Sequence, residues 1–242
     1  MQYWHIQSVD WFAQLPPPAQ VILEQQSSVG DYPKGAMIFE PTPRPDKVFV
    51  LREGLCRIYS VSTQGEEFTL DFVSPGEVFG ELAILGDIPQ VHFAVAFEAC
   101  RVLQLSRASF MELMQSLPSF SLSVTKQVAG RLVSIQTRAE DLVFRTAASR
   151  LARMLLSLEQ VYGRDAGAGR CLGIRLTQTE IATLIGTSRP TASLLINGFK
   201  AAGVLTHRGG HIILTDLTRV RQAAENPEAR LPLEDALAMS SS

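Results

Sequence analysis

The chain has 242 residues, of which 46% are hydrophobic and 19% charged, and its formal net charge is −2. This composition supports a packed core and argues against a generally basic nucleic-acid-binding protein. Because the sequence shows neither a secretion signal nor the roughly 18 consecutive apolar residues of a membrane span, we expect a cytoplasmic protein with no membrane partner. The three cysteines are far apart, so we predict neither a disulfide framework nor a metal site: Cys56, Cys100 and Cys171.

Short β-rich runs separated by glycine-containing turns occupy the sequence between Lys34 and Leu105. Many short strands at this spacing predict a sandwich or a roll, and the periodicity does not choose between them. The predicted strands are Ala36–Glu40, Lys47–Arg52, Leu55–Ser60, Glu67–Val73, Val91–Phe97 and Arg101–Leu105.

From Phe110 to Leu158 the pattern becomes helical, and its middle part repeats in steps of three and four residues. Such a heptad seam is typical of helices that pair, although a helix buried against its own domain gives a similar pattern. The seam consists of Thr125, Val128, Leu132, Ile135, Ala139 and Leu142. We predict a hinge at Phe144-Arg145, after the last residue of the seam.

Residues 177–205 have the spacing of a helix-turn-helix. Thr177 and Glu180 form a capping-box pattern at a helix start, and Gly186 suits the residue that ends that helix. Ser188 can cap the second helix, and Pro190 falls in its first turn, where a missing N–H costs nothing. Residues 206–215 then predict a β-hairpin wing, which turns at two glycines.

One face of the second helix is polar, which indicates either plain solvation or contact with DNA bases. Arg and Asn side chains pair bidentately with guanine and adenine in the major groove. We therefore predict base contacts by Arg189, Ser193 and Asn197. Phosphate contacts are predicted for Gln178, Thr179, Ser188, Thr191, Lys200, His207 and Arg208, and His211 is expected beside the last two at the tip of the wing.

The charge of the chain is divided between its two parts. Residues 145–225 contain 11 Lys and Arg and 5 Asp and Glu, whereas residues 1–144 contain 10 and 16. Clustered cations neutralise phosphates and release counterions, so the +6 segment supports double-stranded DNA as a partner. Paired recognition helices must lie about 34 Å apart to enter successive major grooves, which favours the paired-helix interpretation of the seam. We predict a dimer interface at Val128, Leu132, Ile135, Ala139 and Leu142.

The order of β-roll, long helix and helix-turn-helix resembles the cyclic-AMP receptor/fumarate-nitrate regulator (CRP/FNR) family of bacterial transcription factors. The resemblance extends from about Phe12 to about Leu217 and is strongest at residues 54–85, 131–158 and in the helix-turn-helix. It implies an α+β fold with an N-terminal cyclic-nucleotide-binding-like β-roll (jelly roll), a long dimerisation helix and a C-terminal winged helix-turn-helix. The implied limits are 1–118, 119–144, 145–225 and a C-terminal extension, 226–242. It also implies a homodimer on a palindromic operator that contacts RNA polymerase, in part through the glycine-rich loop at 162–169.

The effector positions depart from the cyclic-AMP-binding members of that family. Gly80-Glu81 matches the pair that holds the ribose, but Gln90-Val91 stands where an Arg-Ser pair holds the phosphate. Ile135-Gln136 replaces the Thr-Ser pair that contacts adenine. Because a buried phosphate without a paired cation is costly, we expect no control by cyclic AMP, and we interpret Gly80-Glu81 as a structural turn in which Glu81 accepts bonds from backbone donors.

Other sensory groups are tested against the residues in the same way. An iron-sulfur cluster needs about four thiolates, which the chain lacks, and haem would depend on a lone histidine such as His92 or His5. No cofactor is therefore predicted, and an unidentified small molecule or no effector at all remains open. The predicted effector pocket comprises Gly80, Glu81, Gln90, Val91, His92, Ile135 and Gln136.

Two further expectations concern the operator and the chemistry. The relatives that recognise TGTGA-type half-sites begin the recognition helix with Arg-Glu-x-x-x-Arg, whereas this chain has Arg189-Pro190 and Leu194, so a changed operator is expected.

The sequence contains no nucleophile elbow, phosphate-cradling loop or metal-spaced cluster, and we predict that it is not an enzyme. A β-roll ligand-binding protein in which DNA binding depends on a cyclic nucleotide or haem remains the alternative.

Overall fold

The computed structural model describes residues 17–167 and 169–230, without the side chains of residues 18 and 19. These residues form two compact units that divide at the bond between Val133 and Ser134. His5 and residues 231–242 of the C-terminal extension lie outside the described residues. Within the described part, no helix is both long and apolar enough to cross a membrane.

The first unit contains eight strands in two four-stranded antiparallel sheets. Their bounds are β1 Ser27–Tyr32, β2 Met37–Phe39, β3 Lys47–Glu53, β4 Cys56–Val61, β5 Glu67–Val73, β6 Val78–Phe79, β7 Phe93–Ala96 and β8 Cys100–Ser106. One sheet has the order β1-β8-β3-β6, and the other has the order β2-β7-β4-β5. The helices of this unit are α1 Pro17–Gln25, α2 Glu81–Leu85, α3 Arg107–Ser116 and the first part of α4 Pro118–Phe144.

Strand β3 shows why this unit has two layers of core. Four consecutive residues, 48–51, are buried, because one face of the strand packs on helices and the other faces the second sheet. Val48 and Val50 join the cluster that includes Phe110 and Phe120 of α3 and α4. Phe49 belongs to the cluster between the sheets. A strand buried on both faces loses the usual alternation of polar and apolar residues.

The six predicted strands are confirmed, with bounds that differ by one or two residues at some ends. Strand β1, Ser27–Tyr32, was not predicted, because its Gly30 and Asp31 are poor strand formers and most of its side chains are partly exposed. It forms because all six of its residues pair with β8. The short helix α2 was not predicted either, since five residues are too few to show a helical period.

The second unit contains the remainder of α4, the helices α5 Ala147–Tyr162, α6 Gln178–Ile185, α7 Arg189–Ala201 and α8 Leu217–Glu225, and one four-stranded sheet. That sheet has the order β11-β12-β10-β9, from β9 Gly163–Asp165, β10 Arg170–Leu172, β11 Leu205–Arg208 and β12 His211–Leu214. The predicted helical region from Phe110 to Leu158 breaks after Ser116 and again after Phe144, beside the predicted hinge at Phe144-Arg145; Thr146 caps α5.

The prediction of a loop at residues 162–169 is wrong in its first half. Gly163–Asp165 forms β9, which pairs with β10 and so builds a hairpin. Arg170 helps to hold this hairpin, because its guanidinium lies 2.7 Å from the Glu159 carboxylate and donates to Gly163 O at 3.1 Å. Glycine-rich composition predicted a turn but did not reveal the short strands on either side of it.

Candidate nucleic-acid interface and effector site

The helix-turn-helix has the local structure that its sequence predicts. The Thr177 hydroxyl accepts a hydrogen bond from Glu180 N–H, and the Glu180 carboxylate accepts one from Thr177 N–H at 2.6 Å. Gly186 ends α6 in the left-handed region with φ of 63°, which costs a glycine little. The Ser188 hydroxyl then accepts from Thr191 N–H and caps α7. Short-range bonds therefore define the start and end of α6 and the start of α7.

A buried arginine also holds the turn between α6 and α7. Arg150 of α5 donates to Ile185 O at 2.8 Å and to Gly186 O at 3.2 Å. The last carbonyls of a helix have no hydrogen-bond donor within that helix and carry partial negative charge. A guanidinium supplies both the donors and a positive charge. No sequence pattern predicts this contact, which joins residues 35 and 36 positions apart.

Helix α7 has a buried face and an exposed face. Ala192, Leu195, Ile196 and Phe199 are buried in the unit. The predicted base-contact residues lie on the other side, where Arg189 and Asn197 are exposed and Ser193 is half-buried. Leu194, which sequence reasoning did not include, is also exposed on this helix.

The predicted phosphate-contact residues surround the exposed face of α7. Gln178 and Thr179 lie in the first turn of α6. Ser188 and Thr191 share the cap of α7, and Lys200 is exposed in its last turn. The phosphate contacts of these five residues remain predictions.

The wing is the predicted β-hairpin, with Gly209 and Gly210 at its turn. His207 and Arg208 are exposed there. Burial lowers the pKa of His207, and Lys200 lowers it further, so the ring favours its neutral form.

His211 closes the hairpin opposite Arg208, as the sequence predicts, but its side chain is engaged by two other residues. Its Nδ1 lies 3.0 Å from Leu172 O, and its Nε2 accepts a bond from Arg175 Nε at 3.2 Å. Both contacts are satisfied by a neutral ring that carries its proton on Nδ1. Arg175 is thereby held beside the wing and is itself exposed, which makes it a phosphate-contact candidate that sequence reasoning missed.

Helix α4 exposes apolar side chains and buries polar ones. Leu132, Ile135 and Leu142 are between 44% and 55% exposed. Gln127, Arg131, Ser134, Arg138 and Asp141, by contrast, are buried. Of the other predicted interface residues, Ala139 is exposed, while Val128 packs in part against the core of the first unit. The exposed apolar strip is what a helix would offer to a second copy, and the interface residues remain predictions.

Gly80 and Glu81 lie where β6 meets α2. Gly80 adopts φ of 79°, and a side chain there would approach the Phe49 ring at 3.2 Å. Glu81 is buried and its carboxylate accepts from Arg131 Nη1 at 2.8 Å. The structural interpretation of Gly80 is therefore supported, but the predicted backbone partners of Glu81 are wrong, since its partner is a distant guanidinium.

The remaining effector positions provide no cation for a phosphate. Gln90 pairs through its backbone with Thr42, and Val91 is 61% exposed. Burial lowers the pKa of His92, which favours the neutral ring. No Lys or Arg occurs between Arg57 and Arg101 in the sequence, and Arg131 is already engaged by Glu81. These positions therefore offer no positive charge to a cyclic phosphate. Ile135 and Gln136 are exposed and belong to the second unit.

A surface pocket of about 330 Å³ lies elsewhere on the first unit. It is lined by Pro43, Arg44, Pro45, Asp46, Asp87, Ile88, Pro89 and Arg107. None of the predicted effector residues lines it.

The described residues contain no group of three or more His, Cys, Asp or Glu side chains that could hold a metal ion. Cys56 and Cys100 are buried, and burial raises the pKa of both thiols.

Comparison with known proteins matches each part of the chain to a described family. The model of the cyclic nucleotide-binding domain matches residues 29–117, and that of the Crp-like helix-turn-helix domain matches residues 149–223. The chain is 31% identical over 193 residues to the cyclic AMP receptor protein of Thermus thermophilus, a match that covers 80% of this chain and 83% of the relative.

A second relative and one solved structure agree with these matches. The chain is 27% identical over 213 residues to the CRP-like cAMP-activated global transcriptional regulator of Mycobacterium tuberculosis, covering 88% of this chain and 95% of the relative. The CooA mutant structure from Carboxydothermus hydrogenoformans superimposes with a TM-score of 0.71 at 28% identity, covering 84% and 89% of the two chains. The relatives with curated names are transcriptional regulators, not enzymes.

Proposed function

The chain belongs to the CRP/FNR family of bacterial transcriptional regulators, and we propose that it acts as a homodimer that binds an imperfect palindromic DNA operator without control by cyclic AMP. A chromosomal operator would place its action in the cytoplasm. The observation that carries the DNA part is helix α7, which is capped at Ser188, anchored by a buried apolar face and exposed along Arg189 and Asn197.

The proposed base contacts follow from donor and acceptor chemistry. The Arg189 guanidinium has the fork of donors that matches guanine O6 and N7, and the Asn197 amide matches adenine N6 and N7. Ser193 can bond to either base. Exposed cations near the helix, Lys200, Arg208 and Arg175, would neutralise phosphates and set the position of the protein on the duplex.

We propose independence from cyclic AMP because the effector positions lack a cation that could pair with its phosphate. Two relatives carry cyclic AMP in their names, so the domain alone does not exclude that ligand. In this chain, however, the loop after α2 contains no cation, and Arg131 is held by Glu81 and by Val78 O at 2.8 Å. A cyclic phosphate bound there would be desolvated without a compensating charge.

Contact with RNA polymerase is proposed for the β9–β10 hairpin. Its first strand exposes Arg164 and Asp165 next to the turn. Replacing residues 164–169 by a neutral turn should leave operator affinity unchanged and lower transcription from a regulated promoter in a purified system. Unchanged transcription would remove this part of the proposal.

DNA binding is tested by selecting duplexes from a random pool with the full-length protein and measuring Kd by fluorescence anisotropy at several salt concentrations. We expect a palindromic consensus and a Kd that rises steeply with salt, because counterions are released on binding. Arg189→Ala should weaken binding by about tenfold or more and relax preference at one guanine, the worth of one bidentate pair.

Arg101→Ala supplies the matched control, because Arg101 is an exposed arginine of the first unit. Its Kd and its selected sequence should equal those of the wild type. A uniform loss of affinity in Arg189→Ala, with sequence preference intact, would make Arg189 a phosphate contact. Absence of salt-dependent binding to any duplex would refute the proposed function.

The effector is tested on the same protein by titration calorimetry with cyclic AMP. We expect no saturable heat and no change in operator Kd at millimolar nucleotide. Saturable binding, or tighter operator binding with the nucleotide, would overturn the proposed independence. An absorption spectrum and native mass of the purified dimer would reveal haem or another bound small molecule. Either result would favour the alternative function, a regulator whose DNA binding depends on a ligand.

A further inference from the structure

The exposed surface of α7 contains an apolar edge made of Pro190 and Leu194. The two residues are one helical turn apart, so they lie on the same side of the helix. Leu194 is 65% exposed, although the other large apolar side chains of α7, Leu195, Ile196 and Phe199, are buried. The apolar edge therefore contributes little to the core that anchors this helix.

An exposed leucine alone carries no information, because much of any protein surface is apolar. The position of this one is informative. Helical geometry places Asn197 between the apolar edge and Arg189, so the exposed face of α7 has a polar side and an apolar side. Both sides begin within the first two turns, the part of a recognition helix that contacts base edges.

The major groove offers one apolar group that such an edge can bind. Thymine presents its C5-methyl group there, whereas cytosine, adenine and guanine present donors and acceptors. Proline and leucine side chains have no donor or acceptor, so contact with the other three bases would desolvate polar groups without replacing their bonds. The methyl group is the one feature that gains from contact with the apolar edge.

We propose that Pro190 and Leu194 recognise the C5-methyl group of a thymine in each half-site of the operator. This inference rests on the proposed function and adds a specificity determinant to it. The thymine and the guanine contacted by Arg189 lie on opposite sides of the base contacted by Asn197. Leu194 makes the larger contact because its side chain reaches further from the helix axis than the ring of Pro190.

The test removes the methyl group from the DNA and leaves the protein unaltered. Each thymine of the selected operator is replaced by deoxyuridine, symmetrically in both half-sites, and Kd is measured by anisotropy at one salt concentration. At one thymine position we expect wild-type binding to weaken about tenfold, since each lost methyl corresponds to roughly threefold to fivefold. Leu194→Ala should bind the thymine and deoxyuridine operators with nearly equal affinity.

Val29→Ala is the matched control, because Val29 is 60% exposed in β1 of the other unit. It should keep the full response to deoxyuridine, and circular dichroism should show that Leu194→Ala remains folded. The inference is overturned if no deoxyuridine operator weakens wild-type binding, or if Leu194→Ala retains the wild-type response. In either case Arg189→Ala would still change guanine preference, which separates this failure from failure of the proposed function.

Discussion

At the scale of single residues, the least expected feature is the buried charge cluster around Arg131. Its guanidinium lies 2.8 Å from Glu81 and 3.0 Å from Asp71, with Glu77 close enough to interact. Three acids therefore surround one cation. Burial raises the pKa of Glu77 to about 8, against an opposing effect of Arg131. Its Oε2 accepts from Ser74 N–H, and its Oε1 has no hydrogen-bond partner among the described residues.

Glu77 should make stability depend on pH. The folded carboxyl keeps its proton up to about pH 8, whereas the unfolded one releases it near its ordinary pKa of 4.5. The folded state binds more protons between these values, so the free energy of unfolding falls as pH rises through this window and levels off above it. Glu77→Gln stays neutral and should gain stability relative to the wild type as pH increases towards 8.

Urea unfolding of the wild type and Glu77→Gln across this pH window measures the difference. Glu66→Gln is the control, because Glu66 is exposed, and it should follow the wild-type curve. Parallel pH profiles for the wild type and Glu77→Gln would show that the folded Glu77 carboxyl titrates at its ordinary pKa.

At the scale of elements, helices that local sequence signals define could be predicted, whereas elements and contacts that depend on residues distant in sequence could not. The capping box at Thr177, the glycine at 186 and the cap at Ser188 specify α6 and α7 within a few residues, so their bounds could be predicted. Strand β1 depends on pairing with β8, some 70 residues away, and its own residues favour no strand. The partner of Glu81 lies 50 positions away in sequence and those of His211 lie 36 and 39 positions away, so none of these contacts could be predicted.

Arg150 provides a test of how strongly α5 holds the helix-turn-helix. Arg150→Met keeps the apolar stem but removes the donors to Ile185 O, Gly186 O and Arg145 O. Charged hydrogen bonds contribute about 1.5 to 3 kcal/mol each, and three are lost. Because removal of the buried charge also relieves its desolvation cost, we expect a net loss of about 2 to 3 kcal/mol in the free energy of unfolding.

Urea unfolding followed by circular dichroism measures this loss, and operator Kd should rise in parallel. Arg164→Met is the control, because Arg164 is an exposed residue of β9, and it should unfold as the wild type does. Equal stability of Arg150→Met and Arg164→Met would mean that the capping and packing of α6 suffice to hold the turn.

At the scale of the whole molecule, two features point to function only when they are combined. The net charge of −2 conceals a basic segment at residues 145–225 that suits DNA. Helix α4 exposes an apolar strip, with Leu132 at 55% and Ile135 at 50%. A palindromic operator requires two basic units, and a paired α4 would supply them.

Disruption of this strip should therefore affect assembly and DNA binding together. Leu132→Glu with Ile135→Glu keeps good helix formers but would place two charges from each chain in the proposed interface, where desolvation and like-charge repulsion oppose association. We expect a monomer by sedimentation velocity. Operator affinity should fall by about a hundredfold or more, because the second half-site no longer binds at a high effective concentration.

Lys126→Glu separates the effect of the interface from that of added charge. Lys126 is exposed on the same helix, but it is outside the heptad seam, so this variant should remain a dimer with nearly wild-type operator affinity. An isolated half-site should bind the double variant and the wild-type protomer equally, since α7 is unchanged in both. If the double variant sediments as the wild type does, α4 is not the dimer interface, and the exposed strip needs a different partner.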